Sequence, residues 1–174
     1  MRVDVGKVLN VTVGCRPKDK GLQILHLAGV SSFNDCQDIA ERFNVRRAVV
    51  DALPETRAAR EFQDGESYPV FLCQYVDRAG SGAKFDVEKN LVFLNRTELC
   101  ESVHGLIARG GMLELPRRCE EVEVFAKELS QIAKVLEGDP ETGSREYRYW
   151  AVGVNRYFHS LGYFWLAARS IGIS

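Results

Sequence analysis

Two aspartates stand out by where they sit. Asp4 lies in Arg2-Val-Asp-Val-Gly-Lys-Val8, and Asp51 closes the run Arg47-Ala-Val-Val-Asp51 just before Ala-Leu-Pro-Glu55. Each is a carboxylate in a strand-forming apolar stretch, where a charge is costly to bury unless something pairs with it. A divalent cation is one such partner, because hard cations take oxygen ligands. Two such carboxylates on neighbouring strands would serve metal-assisted phosphodiester chemistry. Each aspartate also has a plainer reading. Asp4 fits a turn or edge-strand residue, and Asp51 fits a strand end that helps to cap the helix after it.

The elements that must position these residues follow from periodicity. Val3 to Val13 is β-rich, with Gly6 as a bend or bulge. The turn-rich, basic stretch Gly14 to Gly21 leads into a strand over Leu22–Val30. Ser31-Ser-Phe-Asn-Asp35 supplies capping residues, and Asp35 to Phe43 has a helical period. Arg47 to Ala52 is a short continuous apolar run, as in a buried strand. Pro54 then precedes a helix from about Glu55 to Gln63. Strands are expected at 70–76, 84–87, 91–94, 112–115 and 146–152, and helices at 95–109, 118–137 and 155–170. Loops are expected at 78–83, the most mobile one, and at 138–143. This order predicts an α/β protein with a mixed central β-sheet flanked by helices on both faces, in one domain over 1–174.

Composition narrows the class. The chain has 174 residues, 45% hydrophobic and 27% charged, as in an ordinary globular protein. Lys plus Arg is 23 and Asp plus Glu is 24, for a net charge of −1, so the chain is no polycation. Any contact with nucleic acid needs a local basic patch or a tethered partner. Five cysteines, with no C-x-x-C pair, read as reduced structural thiols rather than a zinc site. The first residues lack the apolar core of a secretory signal, and the apolar stretch near Tyr157 to Ala168 is too short and mixed to span a membrane. There is no G-x-x-x-x-G-K-[ST] phosphate loop. Taken singly, Glu55 reads as a first-turn helix carboxylate, Asp86 and Glu88 as solvated residues, and His26 and His104 as ordinary surface or half-buried histidines. The aromatic series Tyr157, Phe158, Tyr163, Phe164 and Trp165 reads as core packing.

At Val3-Asp-Val-Gly-Lys-Val8 and Val50-Asp-Ala-Leu-Pro-Glu-Thr-Arg57 the chain resembles the C-terminal nuclease domain of bacteriophage terminase large subunits. These are DNA-packaging motor proteins, and this domain of theirs has an RNase H-like fold. The resemblance continues through Asn95-Arg-Thr-Glu98, Leu113-Glu-Leu-Pro116, Tyr147-Arg-Tyr149 and His159-Ser-Leu-Gly-Tyr-Phe-Trp-Leu166, so it covers nearly the whole chain in order. In the family, acidic residues on the first strand, a central strand and the last helix hold two divalent ions. Asp4 matches the first position and Asp51 the second. The third departs from the pattern: Asn155 stands where an acid is expected. Asn offers a neutral oxygen and no charge. His159 follows one turn later, at i+4 on the same helix face. Imidazole suits Mn²⁺ better than Mg²⁺. Asn155 is compatible with an engineered inactive variant, a naturally weakened site, or a site completed by His159.

The resemblance implies a metal-dependent DNA endonuclease using two Mg²⁺ or Mn²⁺ ions. Asp4 would bridge them, Asp51 would hold one, and Asn155 or His159 would hold or screen the other. Lys7, Arg16, Lys18, Lys20 and Arg78 are the candidate phosphate contacts. The implied partners are double-stranded DNA, a separate terminase ATPase domain, the small terminase subunit and the portal. The implied setting is the cytoplasm of an infected bacterial host, with no membrane contact. The chain is expected to be an excised domain, its ATPase domain lying elsewhere. Two alternatives stand beside this one. One is another RNase H-like enzyme, such as a junction resolvase. The other is a catalytically silent DNA-guiding or portal-docking module, which Asn155 favours.

Overall fold

A computed structural model of the chain describes residues 2–4, 8–18, 21–77, 82–138, 143 and 145–171, with the side chains of 2–4 and 146 outside the description. Gly6, Lys7, Lys20, Arg78 and most of the 78–83 and 138–143 loops therefore lie outside the described residues.

The β-rich start is two strands, not one: β1 (Arg2–Asp4) turns back into β2 (Leu9–Cys15), which pairs in turn with β3 (Leu22–Val30). Both pairings are antiparallel, with Asp4 opposite Asn10 and Val11 opposite Ala28. The chain then alternates helix and strand: α1 (Phe33–Arg42), β4 (Ala48–Asp51), α2 (Thr56–Gly65) and β5 (Val70–Tyr75). A short hairpin, β6 (Lys84–Asp86) and β7 (Leu91–Leu94), leads to α3 (Arg96–Ala108) and β8 (Leu113–Glu114). Last come α4 (Glu120–Leu129), β9 (Ile132–Gly138), β10 (Arg145–Ala151) and α5 (Arg156–Arg169).

Eight strands form one mixed sheet in the order β6-β7-β5-β4-β1-β2-β3-β8. The strands β1, β4, β5 and β7 are parallel neighbours. Helix α1 lies in the β1–β4 connection and α2 in the β4–β5 connection, and both pack against the same core. Alternation along each strand feeds two cores. Leu9, Val11, Val13, Val50 and Leu72 pack against Cys36 and Ala40 of α1 and Ala59 and Phe62 of α2. On the other face, Val49, Phe71 and Val92 meet Leu99 of α3 and Tyr163 and Leu166 of α5. Ile24 and Leu27 meet Phe125 of α4 together with Phe158 and Leu161 of α5. The chain is thus mixed α/β with helices on both faces of its main sheet.

Local chemistry sets the element ends. Helix α1 opens with a reciprocal cap: Asp35 N–H donates to Ser32 Oγ at 3.2 Å, and Ser32 N–H donates to Asp35 Oδ2 at 2.9 Å. The Ser32 hydroxyl, foremost among these donors, holds the Asp35 carboxyl below its ordinary value of 3.8. A carboxyl depressed in the folded state stabilises the fold above its unfolded pKa, and that contribution is lost as pH falls through the folded value. Urea unfolding of Asp35→Ala should therefore show a loss of stability at pH 7 that disappears toward pH 2. An equal loss at both pH values would contradict this. Gly14, at the bulge where the β2–β3 register shifts, has no room for a side chain. A Cβ there would stand 2.2 Å from the Gln23 carbonyl oxygen and 2.5 Å from Phe164 Cζ.

One sequence expectation is overturned. The helical pattern over 118–137 stops at Leu129, and Ile132–Gly138 is a strand paired antiparallel with β10. The stretch Lys134-Val-Leu-Glu137 satisfies either period, and the cross-strand partners decide. Lys134 Nζ sits 4.6 Å from the Tyr147 ring centroid and 5.6 Å from that of Tyr149, and it binds Glu101 Oε1 at 2.8 Å. Aromatic and charged pairs across a hairpin are its main source of stability. Apart from this helix and the divided first strand, the expected boundaries fall within two residues of those observed.

Candidate active site at the ends of the parallel strands

The parallel strands β5 and β7 end level at Tyr75 and Leu94, two residues beyond Asp51, where β4 ends. In open α/β sheets, ligands bind outside these carboxyl ends. Val3 of β1 pairs in parallel with Val50 of β4, so the next residue along each strand is one of the two aspartates. The backbone thus brings Asp4 and Asp51 side by side, although 47 positions apart in the chain.

Helix α5 crosses this end of the sheet. Its Ser160 Oγ contacts Thr12 Oγ1 at 2.6 Å and donates to Asn10 O at 3.4 Å, and Asn10 is the cross-strand partner of Asp4. Further along, Phe164 lies over Gly14 at the far end of β2. The N-terminus of α5, with Asn155, therefore points to the aspartate end and Arg169 to the opposite end. A residue at this cap position usually bonds the first helical N–H groups. Asn155 does not: its side chain makes no cap bond, and Glu128 Oε2 of α4 accepts from Tyr157 N–H instead, at 2.8 Å. The half-buried Asn155 amide is not committed to capping.

Asp51 is half-buried, and two donors among the described residues reach its carboxylate. Leu53 N–H donates to Oδ1 at 3.1 Å, and the Tyr163 hydroxyl donates to Oδ2 at 2.9 Å. The first bond is the strand-end role that the local pattern predicts. The second ties Asp51 to the last helix. Tyr163 Oη also lies 2.7 Å from Tyr75 Oη, which is 3.5 Å from His159 Nδ1, while Arg96 Nη2 is 3.3 Å from His159 Nε2. Donor and acceptor roles limit how these contacts can be made. A guanidinium only donates, so a hydrogen bond from Arg96 to Nε2 requires the His159 tautomer that carries its proton on Nδ1. An ionised carboxylate only accepts, so Tyr163 donates to Asp51. The Tyr163 hydroxyl is thus within donating distance of both Asp51 Oδ2 and Tyr75 Oη, and Tyr75 Oη in turn meets His159 Nδ1. These contacts join Arg96, His159, Tyr75, Tyr163 and Asp51 in one polar chain.

Arg96 reaches this place because Asn95 is pinned. Its Oδ1 caps α3 by accepting from Thr97 and Glu98 N–H, and its Nδ2 donates to Val76 O and Asp77 O just beyond β5. The next residue must then project beside Tyr75, and the Arg96 guanidinium carbon lies 5.9 Å from the Tyr75 ring centroid.

The donor chemistry can be tested against a hard cation. Asp51 and Asn155 present oxygen, which suits Mg²⁺ or Mn²⁺. The His159 ring fits less well, since a guanidinium, itself a cation, faces Nε2 and Tyr75 faces Nδ1. Binding a metal through His159 would require Arg96 to move away. Among the described residues no group of three or more His, Cys, Asp or Glu side chains is placed to hold a metal ion, a description that does not include the Asp4 side chain.

The candidate phosphate contacts divide. Lys7, Lys20 and Arg78 lie outside the described residues. Arg16 and Lys18 follow the end of β2, five or more residues beyond Asn10. At about 3.3 Å per residue that is roughly 17 Å or more from the aspartate level. The residues that pattern reading passed over are Tyr75, Tyr163 and Arg96. A polar aromatic at the end of a parallel strand, and a His and Tyr spaced i, i+4 on the last helix, were the available signals.

Cysteines play no part here. None of the five forms a disulfide, and burial pushes the Cys36 thiol up to about 12 and the Cys100 thiol up to about 11, which leaves both inert. No helix among the described residues is long and apolar enough to cross a membrane. Compared with protein-family models, with curated proteins and with solved structures, the chain matches none of them.

Proposed function

We propose that the chain is a metal-dependent DNA endonuclease domain of RNase H-like type, with the work of a phage terminase nuclease: cutting concatemeric viral DNA at packaging. The observation that carries this reading is the register of β1 on β4. It sets Asp4 beside Asp51 at the ends of parallel strands, with the N-terminus of the last helix directed to the same end. These are the three places from which the resembling family draws its ligands.

Asp4 and Asp51 would hold two Mg²⁺ or Mn²⁺ ions, with Asn155 adding a neutral oxygen. When bound, the ions supply an activated water and relieve charge on the leaving oxygen of the phosphodiester. The protein's own residues do the rest. Tyr163 and Leu53 N–H hold the Asp51 carboxylate in one orientation, and the relay through Tyr75 and His159 holds Tyr163. Arg96 brings a positive charge to the edge of the site, the sign needed to receive a phosphate. The ATPase domain, small subunit and portal of a packaging motor would present duplex DNA to a chain whose own net charge is only −1.

Asn155 favours a second reading, a silent DNA-guiding module on the same scaffold. A plasmid-nicking assay in Mn²⁺ separates the two. The nuclease reading expects slow nicking by the wild type and a gain of about 10-fold to 100-fold in Asn155→Asp, the range by which ligand-shell changes alter metal affinity or activity. Absence of cleavage by both proteins would favour the silent module.

A further inference from the structure

At the end of α5 away from the aspartates lies a cavity of about 410 Å³, lined by Arg16, Arg169 and Trp165 over an apolar floor of Leu22, Leu106 and Met112. We propose that this cavity binds a nucleotide phosphate, carried either by a free mononucleotide or by the phosphorylated end of a DNA strand. Arg169 lies ten residues, or about 15 Å of helix, beyond His159. The pocket is therefore separate from the candidate active site and stands independently of the nuclease reading.

Three observations carry the inference. The first is charge. Neither Arg16 nor Arg169 has an ion pair among the described residues, although Glu98 and Glu101 line an adjoining cavity that Arg169 also borders. The second is orientation. The Arg169 guanidinium carbon stands 4.7 Å from the Trp165 ring centroid. A guanidinium held over an aromatic face by a cation–π contact can still use N–H donors for a phosphate oxygen. The third is that the walls are fixed. Leu22 N–H donates to Met112 O at 2.8 Å, and Gly21 approaches so closely that a Cβ would stand 2.3 Å from the same carbonyl oxygen. Gly111 holds this turn with φ of 79°. Leu22 and Leu106 are buried, whereas Met112 is 41% exposed at the rim, where an apolar ring can rest. The volume lies within the usual range for small-ligand sites, about 300–1,000 Å³, and a guanidinium pair over an apolar floor matches a phosphate joined to a base.

The test follows Trp165 by fluorescence. The chain has two tryptophans, and Trp150→Phe, a change on the exposed β9–β10 hairpin, leaves Trp165 as the sole reporter. Deoxyadenosine monophosphate is titrated in EDTA, so a failed metal site leaves the result untouched. Deoxyadenosine and a 5′-phosphorylated oligonucleotide are titrated alongside, and NMR shifts locate the binding. The expected result is a saturable change with shifts at Leu22, Leu106 and Met112. Binding should be at least about tenfold weaker for deoxyadenosine and for Arg16→Gln/Arg169→Gln, as loss of a charge-assisted contact implies. Saturation by the mononucleotide alone assigns the site to free nucleotide, and saturation by the oligonucleotide as well assigns it to a strand end. The proposal is overturned by no saturable change at millimolar nucleotide, by shifts confined to other residues, by equal binding of deoxyadenosine, or by undiminished binding in the double variant.

Discussion

Asp51→Ala should lower Mn²⁺-dependent nicking at least about 100-fold, to the level of a metal-free control. Changes in groups that only orient a metal ligand cost about 10-fold to 100-fold, and removal of a ligand should cost at least as much. Asp51 is also a structural acceptor for Leu53 N–H and the Tyr163 hydroxyl, so Ala should cost about 1–3 kcal/mol of stability as well. Asp51→Asn separates the two effects. It keeps an oxygen for these donors but removes the charge that attracts a cation. The expected pattern is full loss of cleavage in both variants, with Asn closer than Ala to wild-type stability in urea unfolding. Cleavage that survives in Asp51→Asn would remove Asp51 from the metal site.

Tyr163→Ala should be among the most destabilising single changes in the chain. The ring is fully buried, packed with Val49, Phe71 and Leu166 between the sheet and α5. Truncation of a core aromatic costs about 3–5 kcal/mol. Its hydroxyl does a separate job, joining Asp51 to Tyr75, and Tyr163→Phe isolates it. That variant keeps the ring and loses a hydrogen bond to a charged group, a loss of about 1.5–3 kcal/mol. Because the same bond orients Asp51, Tyr163→Phe should also weaken Mn²⁺ binding in calorimetry, by about 10-fold or more. A Phe variant with wild-type stability and wild-type Mn²⁺ affinity would show that the relay does not position the carboxylate.

The sheet was legible because apolar runs of four to nine residues, broken by glycine, proline and capping signals, leave few other assignments. Asp35 and Asn95 announced their helices, and both perform the capping that their types imply. In the β9–β10 hairpin the second strand was legible and the first was not. Its first strand continues a helical pattern without a breaker, and only Tyr147 and Tyr149, more than ten residues later, favour a strand at Lys134. Asp51 was readable as a candidate from its own surroundings. Its supporting chain was not, because Arg96, His159, Tyr75 and Tyr163 come from three elements and become neighbours only when α5 lies across the strand ends. A tyrosine among core aromatics reads as packing, and Tyr163 is packing in its ring and a polar tether at its tip. The same fold moves Arg16 away from the site to which its charge first assigned it, to the pocket beside Arg169.

The central claim is a metal site between two adjacent strands, and anomalous diffraction from crystals soaked in Mn²⁺ tests it most directly. The account predicts an anomalous peak against the Asp51 carboxylate shared with Asp4, and a second, weaker peak toward Asn155 that strengthens in Asn155→Asp. Manganese found only elsewhere, with Asp51 still bonded to Tyr163 and Leu53 and no peak beside it, would contradict the account.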